Sequence, residues 1–378
     1  MSDKTSKACE WSREGVIEGL HDGCYDYFEG GYVYVCPERT VCAHLVRLER
    51  LVKEVVAHGQ EVFKIKTKGW NKYLVYDALG RDILGFIWRE EWIRYHYPLH
   101  RFSPHVEAFF RCSIAFRQKY CDPGVSGYPS EDVCCVAESL NRMIEDLKKL
   151  VSSDNFKSEI SQHNRSSNKN RRSIVKYINA LFDSRSRLLV VRVDLGYEAR
   201  TKRNGGDVSY AQAKEHREKF FKELKKLFPK GDLVGYCWKL EFGISKSYHY
   251  HVMVFLDGAK RREDVSLGRL IGEIWQENVT LGKGVYFNCN SKKSAYRSCG
   301  IGMINHGELE KRESLLKAAT YLTKQDIYIK IALDGGGRCF GRGELPKVGS
   351  VRKGRPRKSA AKPKETLKKP QLREITAL

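Results

Sequence analysis

Two histidines separated by one residue, His249 and His251, are the side chains of this sequence best suited to chemistry. A turn-forming break over residues 243–247 separates two runs rich in apolar and aromatic residues, which predicts a β-hairpin. Because alternate residues of a strand point to the same face, both imidazoles project from one side of the sheet. If the turn is centred in the break, antiparallel pairing places Glu241 opposite His249 and Lys239 opposite His251 on that face.

Two imidazoles and a carboxylate on one sheet surface suit a divalent metal, Mg²⁺ or Mn²⁺, that keeps coordination positions open for a substrate. The predicted ligands are therefore His249, His251 and Glu241. The alternative is two ordinary strand histidines beside a solvated glutamate. A nucleophile elsewhere in the chain would favour the metal site over this alternative.

Tyr321 is the candidate nucleophile. It shares one face of a predicted helix with Lys324 and Gln325, and Asn305 with Glu308 forms the N-terminal cap of that helix. A helical tyrosine is usually a packing residue, but a phenol beside a metal suits in-line attack on a phosphodiester. Lys324 would favour the phenolate. The product would be a phosphotyrosine and a free sugar hydroxyl, and the strand could later be resealed without ATP.

The elements around these residues predict an α+β fold. Arg187 to Asp194 reads as a buried strand whose end presents Arg192 and Asp194 together, two weaker site candidates. Ser209 and Gln212 predict a capping box for a helix that precedes the hairpin. The order strand, helix, hairpin, helix, strand, helix favours an antiparallel sheet with helices on one face and the site on the other.

The sequence divides into four regions. Residues 1–150 form a mixed accessory region with predicted helices over Thr40 to Ala57 and Val136 to Val151, and a small sheet between Glu61 and Trp92. Residues 151–173, rich in Ser, Asn, Lys and Arg, read as a polar linker. We expect the nicking domain at 174–346 and a disordered basic tail at 347–378.

The net charge of +22 is unevenly distributed. Residues 1–150 carry 21 Lys and Arg against 22 Asp and Glu, whereas residues 151–378 carry 47 against 24. A positive field of this size indicates a polyanionic partner, most commonly nucleic acid. The near-neutral balance of the first region argues against a main nucleic-acid contact there.

The tail contains 11 basic and 2 acidic residues. Within it, Lys353, Arg355, Arg357 and Lys358 belong to a segment, residues 353–358, that resembles an AT-hook. Its core, Gly354-Arg355-Pro356, would lie extended in a narrow minor groove. A generic phosphate-binding tail is the equal alternative.

Composition excludes other classes. No run of 18 apolar residues is present, and the N-terminus lacks a secretion-signal pattern, so a cytoplasmic protein is expected. The twelve cysteines show no Cys-x-x-Cys pair and are expected to be reduced thiols.

The His-x-His pair, the upstream glutamate, the strand ending in Asp194 and the Tyr-x-x-Lys helix resemble HUH endonucleases. The most similar group is the replication-initiator family of filamentous phages and related prophages, the inovirus gene-two type. The segments that carry the resemblance are Leu188–Gly196, Tyr248–Phe255, Gly300–Asn305, Tyr321–Lys324 and Arg338–Gly343.

This resemblance implies an HUH-type, RRM- or ferredoxin-like fold and a metal-dependent nickase that starts rolling-circle replication and rejoins the displaced circle. His249 and His251 match the metal ligands and Tyr321 the nucleophile. Expected partners are single-stranded or supercoiled origin DNA, host helicase and replication machinery, and a second copy of the chain. Two alternatives stay open: a non-catalytic DNA-binding regulator on the same scaffold, and a transposase of the same superfamily.

Overall fold

The structure is a computed structural model of the chain. It describes residues 25–27, 33–35, 37–120, 133–198, 208–243, 247–296, 298–324, 329–331 and 337–346. In these ranges no helix combines the length and apolar character needed to cross a bilayer.

The N-terminal region is mainly helical. Its helices are α1 (Pro37–Ala57), α2 (Ala78–Ile87), α3 (Glu90–His96), α4 (Pro104–Tyr120) and α5 (Val133–Ser152). Its strands are β1 (Tyr25–Tyr27), β2 (Val33–Val35), β3 (Lys64–Lys68), β4 (Asn71–Val75) and β5 (His100–Phe102). The two predicted helices are confirmed as α1 and α5.

The small sheet expected between Glu61 and Trp92 is only partly present. It consists of the β3–β4 hairpin, and the apolar run that follows forms α2. Asp77 caps this helix by accepting a hydrogen bond from the Gly80 amide at 3.0 Å. Ile83 and Ile87, spaced by four, both lie in the helical core, so period-four burial outweighed β propensity here.

The expected linker at 151–173 is wrong, because this segment is helical. It belongs to α6 (Asp154–Ser184), which begins after Ser153 accepts a hydrogen bond from the Phe156 amide. Phe156 packs in the N-terminal core, and Ile174 and its neighbours pack in the core of the main sheet. A helix that bridges two cores can be polar all round in its middle, which is why composition alone resembled a linker.

The main sheet contains the long strands of the chain. This part of the chain contains β6 (Arg187–Tyr197), α7 (Tyr210–Leu227), β7 (Leu233–Gly243), β8 (Ser247–Asp257), α8 (Asp264–Glu273), β9 (Gly284–Asn288), β10 (Gly302–Asn305), α9 (Leu309–Lys324), β11 (Ile329–Ile331) and β12 (Phe340–Arg342). Of its strands, β11 pairs with β5 in a separate two-stranded sheet. The order across the sheet is β10-β6-β8-β7-β12, and β9 pairs β6 beside β10. Neighbouring strands of this sheet are antiparallel. The α+β class is therefore as predicted, with the Ser209–Gln212 capping box in place.

Helices cover both faces of this sheet, whereas one covered face was expected. Helices α7 and α8 pack on the face that carries Val191 and Val252. Helices α6 and α9 pack on the opposite face, against Val190 and Met253. The difference arises because the central strands are apolar on both sides for most of their length. The candidate site lies on the second face, at the end that carries Asp194 and His251.

Candidate metal centre

The predicted hairpin register is confirmed. In β7 and β8, Glu241 pairs with His249 and Lys239 with His251, so all four side chains belong to one face. The turn itself, at 244–246, lies outside the described residues. On the other side of β8, His251 pairs with Asp194 of β6. Three strands thus bring the residues of this site together, and β8 is central among them.

The donor atoms have the separations that a metal ion requires. Glu241 Oε2 lies 3.3 Å from His251 Nε2 and 3.5 Å from His249 Nε2. One ligand atom from each of the three residues lies within 4.8 Å of the others. Ligands at ~2.1 Å from one cation stand ~3 Å apart, so this set fits an ion without backbone movement.

The far nitrogens of both rings are also held. His249 Nδ1 donates to the Ser247 carbonyl oxygen at 3.1 Å, and His251 Nδ1 lies 2.7 Å from Asp194 Oδ1. Partners on Nδ1 orient each ring so that its Nε2 faces Glu241. A carboxylate behind a histidine is the usual support of a metal-binding imidazole. Asp194, a weaker candidate from sequence, therefore has a defined position in the site.

The imidazole of His251 lies between two carboxylates, and this position determines its charge. Burial alone would lower the pKa of His251, but the charges of Asp194 and Glu241 outweigh it and raise the pKa to about 9. Burial would raise the pKa values of both carboxyls, yet the adjacent imidazoles hold them below their usual range. Without a metal, His251 is thus held as an imidazolium, with Asp194 beside Nδ1 and Glu241 beside Nε2, and the proton on Nε2 lies where a cation would bind.

We expect Asp194→Asn to weaken metal binding about 10- to 100-fold, because the amide accepts the hydrogen bond but supplies no negative charge to His251. Titration calorimetry with Mn²⁺ measures this. Asp257→Asn is the matched control, since Asp257 is the similarly buried acid at the other end of β8, paired with Arg185. Equal affinity of Asp194→Asn and the wild type would show that Asp194 does not support the ligand.

Two buried cations adjoin the cluster. Arg192 Nε lies 3.4 Å from Asp194 Oδ1, and Lys239, in register with His251, is almost completely buried. Arg192 was a weaker candidate from sequence, whereas Lys239 was placed on this face but not counted as a site residue. The i, i+2 spacing of Lys239 and Glu241 was the signal that could have included it. The positive charges of Arg192 and Lys239 offset the negative charges of Asp194 and Glu241. They also favour an anionic substrate at this site.

His100 was missed by sequence reasoning. It lies on β5 in the N-terminal region, its ring centroid 6.1 Å from that of Phe242. Burial and the charge of Lys239 lower the pKa of His100 to about 3, although Glu241 opposes this. β5 pairs with β11, just after the tyrosine helix, with Ile331 opposite His100. No periodicity or motif marks this residue, because only long-range strand pairing brings it to the site.

Tyr321 lies on the helix that covers the same sheet face. α9 starts near the beginning of β6, where Arg312 stacks over the Phe182 ring at 4.6 Å. Near its end, the Ser167 hydroxyl donates to the Thr323 carbonyl oxygen at 2.6 Å. α9 therefore runs antiparallel to α6, and its length is ~22 Å. The stretch of β6 from its start to Asp194 is about equally long, ~23 Å, so the end of α9 reaches the level of Asp194. The half-buried Tyr321, near the end of α9, thus lies toward the end of the face that carries the histidines.

The remaining predicted residues lie beyond the described structure. Lys324 is the last residue of α9, but its side chain is outside the described part, as are Gln325 and the whole tail. The tail candidates Lys353, Arg355, Arg357 and Lys358 therefore stay predictions. The predicted Asn305 cap of α9 is wrong, because Asn305 is the last residue of β10 and α9 begins only at Leu309. The Asn305 backbone amide instead donates to Glu308 Oε2 at 2.6 Å, in the turn before the helix.

Comparison with known families gives one match, to the model described as the YagK/YfjJ C-terminal domain, over residues 151–343. This range is more than half of the chain and contains α6, the main sheet and the face with the candidate metal ligands. The chain belongs to the YagK/YfjJ C-terminal domain family. Neither curated proteins nor solved structures gave a match. The YagK/YfjJ domain thus begins near the start of the bridging helix, and the accessory region precedes it.

Proposed function

We propose that this protein is a metal-dependent DNA nickase and strand-transfer enzyme that forms a covalent 5′-phosphotyrosine through Tyr321. Its role would be to initiate rolling-circle replication of a phage, prophage or similar mobile element. The observation that carries the proposal is the cluster of Glu241, His249 and His251, with both Nδ1 atoms held, on the face that α9 crosses.

The topology also supports an HUH-type domain. The elements β6, α7, β7, β8, α8 and β9 follow one another as βαββαβ, and their strands lie in the order β9-β6-β8-β7. This is a ferredoxin-like arrangement with both helices on one face. The histidine pair occupies an inner strand, where backbone hydrogen bonds on both sides make the ligands rigid.

The chemistry assigns a task to each residue. A divalent cation held by Glu241, His249 and His251 would polarise the scissile phosphate and offset its developing charge. The phenol oxygen of Tyr321 forms a bond to phosphorus as the bond to the 3′ oxygen breaks. The phenolic proton goes to solvent, and the departing 3′ oxygen takes up a proton to become a hydroxyl. Arg192 and Lys239 add fixed positive charge beside the phosphate.

The decisive experiment is mass spectrometry of the protein after incubation with Mn²⁺ and random-sequence single-stranded DNA. We expect a nucleotide adduct on the peptide that contains Tyr321. DNA binding without any adduct would favour the regulator. Adduct formation only on the ends of a transposable element, and not on origin DNA, would favour the transposase.

Edge strand β9 predicts the path of the substrate beside the centre. Phe287 pairs with Asp194 and Val285 pairs with Gly196, so both lie on the metal-binding face, and they are 47% and 41% exposed. The segment 280–298 carries four basic and no acidic residues. An exposed aromatic ring beside basic side chains suits the stacking of an unpaired base.

We therefore expect Phe287→Ala to weaken binding of single-stranded DNA about tenfold, by loss of one stacked base. Fluorescence anisotropy in EDTA measures this independently of cleavage. Tyr95→Ala is the matched control, because Tyr95 is an exposed aromatic residue of α3 in the N-terminal region. Equal effects of the two substitutions would remove β9 from the substrate path.

A further inference from the structure

The β3–β4 hairpin is a basic ribbon attached to the N-terminal region. Residues 64–75 contain four lysines and no acidic residue, although residues 1–150 as a whole are nearly neutral. Ile65 and Leu74 are its half-buried pair, directly opposite each other, and Leu74 packs on the helical core. The opposite face of the ribbon is exposed, and the alternation of the strands decides which side chains it carries.

That exposed face carries a row of lysines. Lys64, Lys66 and Lys68 alternate along β3 at ~6.7 Å spacing, and all three are exposed. Tyr73 pairs with Lys66 and is 42% exposed, so an aromatic ring lies within the row. Three cations without a neighbouring acid on the ribbon form a linear positive track.

The tip of the ribbon is a two-residue turn with a fully exposed tryptophan. Gly69 has φ of +62°, which a tight hairpin turn requires and which glycine adopts without strain. Trp70 follows it with a relative exposure of 102%. Tryptophan is the largest aromatic side chain, and its complete exposure at a turn has no packing purpose within the described structure.

We propose that the β3–β4 hairpin is a second nucleic-acid contact, separate from the metal centre. The lysine row follows the sugar–phosphate backbone, and Trp70 stacks on an unpaired base beside it. A membrane surface fits less well, because Trp70 is the one bulky apolar side chain at the tip and Thr67, Lys68 and Asn71 surround it. The chain's large positive surplus favours the same polyanionic partner.

Anisotropy with full-length protein in EDTA tests the proposal without nicking, so a failure of the proposed function leaves it intact. The probes are a blunt duplex, a single strand and a fork that joins both. Combined Lys64→Gln, Lys66→Gln and Lys68→Gln should reduce the salt-dependence slope by ~2–3 on all probes. Trp70→Ala should weaken the fork and the single strand about tenfold and leave the blunt duplex unchanged.

Matched variants make the result specific. Lys222→Gln, Lys225→Gln and Lys230→Gln remove the same charge from α7 and the turn after it, on the far face of the sheet. An equal loss in this control overturns the proposal, and so does wild-type binding by the hairpin variants. Trp70→Phe should retain binding, whereas Trp70→Leu should lose it. Retention by Trp70→Leu, together with hairpin-dependent binding to phosphatidylserine vesicles, would instead indicate a membrane contact.

Discussion

Tyr321→Phe is expected to abolish covalent attachment of the protein to DNA while DNA and metal binding stay at wild-type levels. The substitution removes one oxygen atom, and the remaining phenyl ring cannot form a bond to phosphorus. Loss of a covalent nucleophile costs roughly 10⁴-fold or more in rate. Denaturing gels with labelled oligonucleotides and Mn²⁺ measure the attached fraction.

The control for this prediction is Tyr296→Phe. Tyr296 is a half-buried tyrosine that packs against the same sheet core as α9, and burial is the main reason that its pKa is raised. It should retain attachment in full. Persistent attachment in Tyr321→Phe would mean that another residue is the nucleophile, and the mass of the linked peptide would identify it.

Combined His249→Ala and His251→Ala is expected to remove metal binding and cleavage together. A metal that binds only the folded protein at a hundredfold excess over Kd adds ~2.7 kcal/mol of stability, or roughly 5–10 °C in Tm for a domain of this size. The variant should show no such shift with Mn²⁺. Differential scanning fluorimetry with and without the ion measures it.

Two further variants keep this prediction testable. Without His251, Asp194 and Glu241 lack the imidazole between them, so the double variant can lose stability before any metal is added. His249→Ala alone leaves that arrangement intact and should still lose most of the Mn²⁺ shift. His58→Ala with His96→Ala, two histidines of the N-terminal region, is the control. A full shift in His249→Ala would exclude His249 as a ligand.

The sequence by itself predicted the local elements of the centre. Strand alternation, the polar break and the capping box correctly placed the hairpin, its register and the start of α7. These features depend on neighbours in the chain and on backbone geometry with a short period, so they can be read without knowledge of the fold.

The tertiary structure determined which other side chains surround the candidate ligands. Asp194 supports His251, and His100 approaches from β5, because strands distant in sequence pair side by side. The polar run in α6 became helical because its ends are buried in two different cores. Residues 1–150 are nearly neutral in total, and this total concealed the basic β3–β4 hairpin. On α1 and α3 basic side chains form ion pairs with acidic ones, whereas the hairpin has no acidic residue. Composition gives only the net charge of a region, whereas a binding partner interacts with the charges that the fold exposes on the surface.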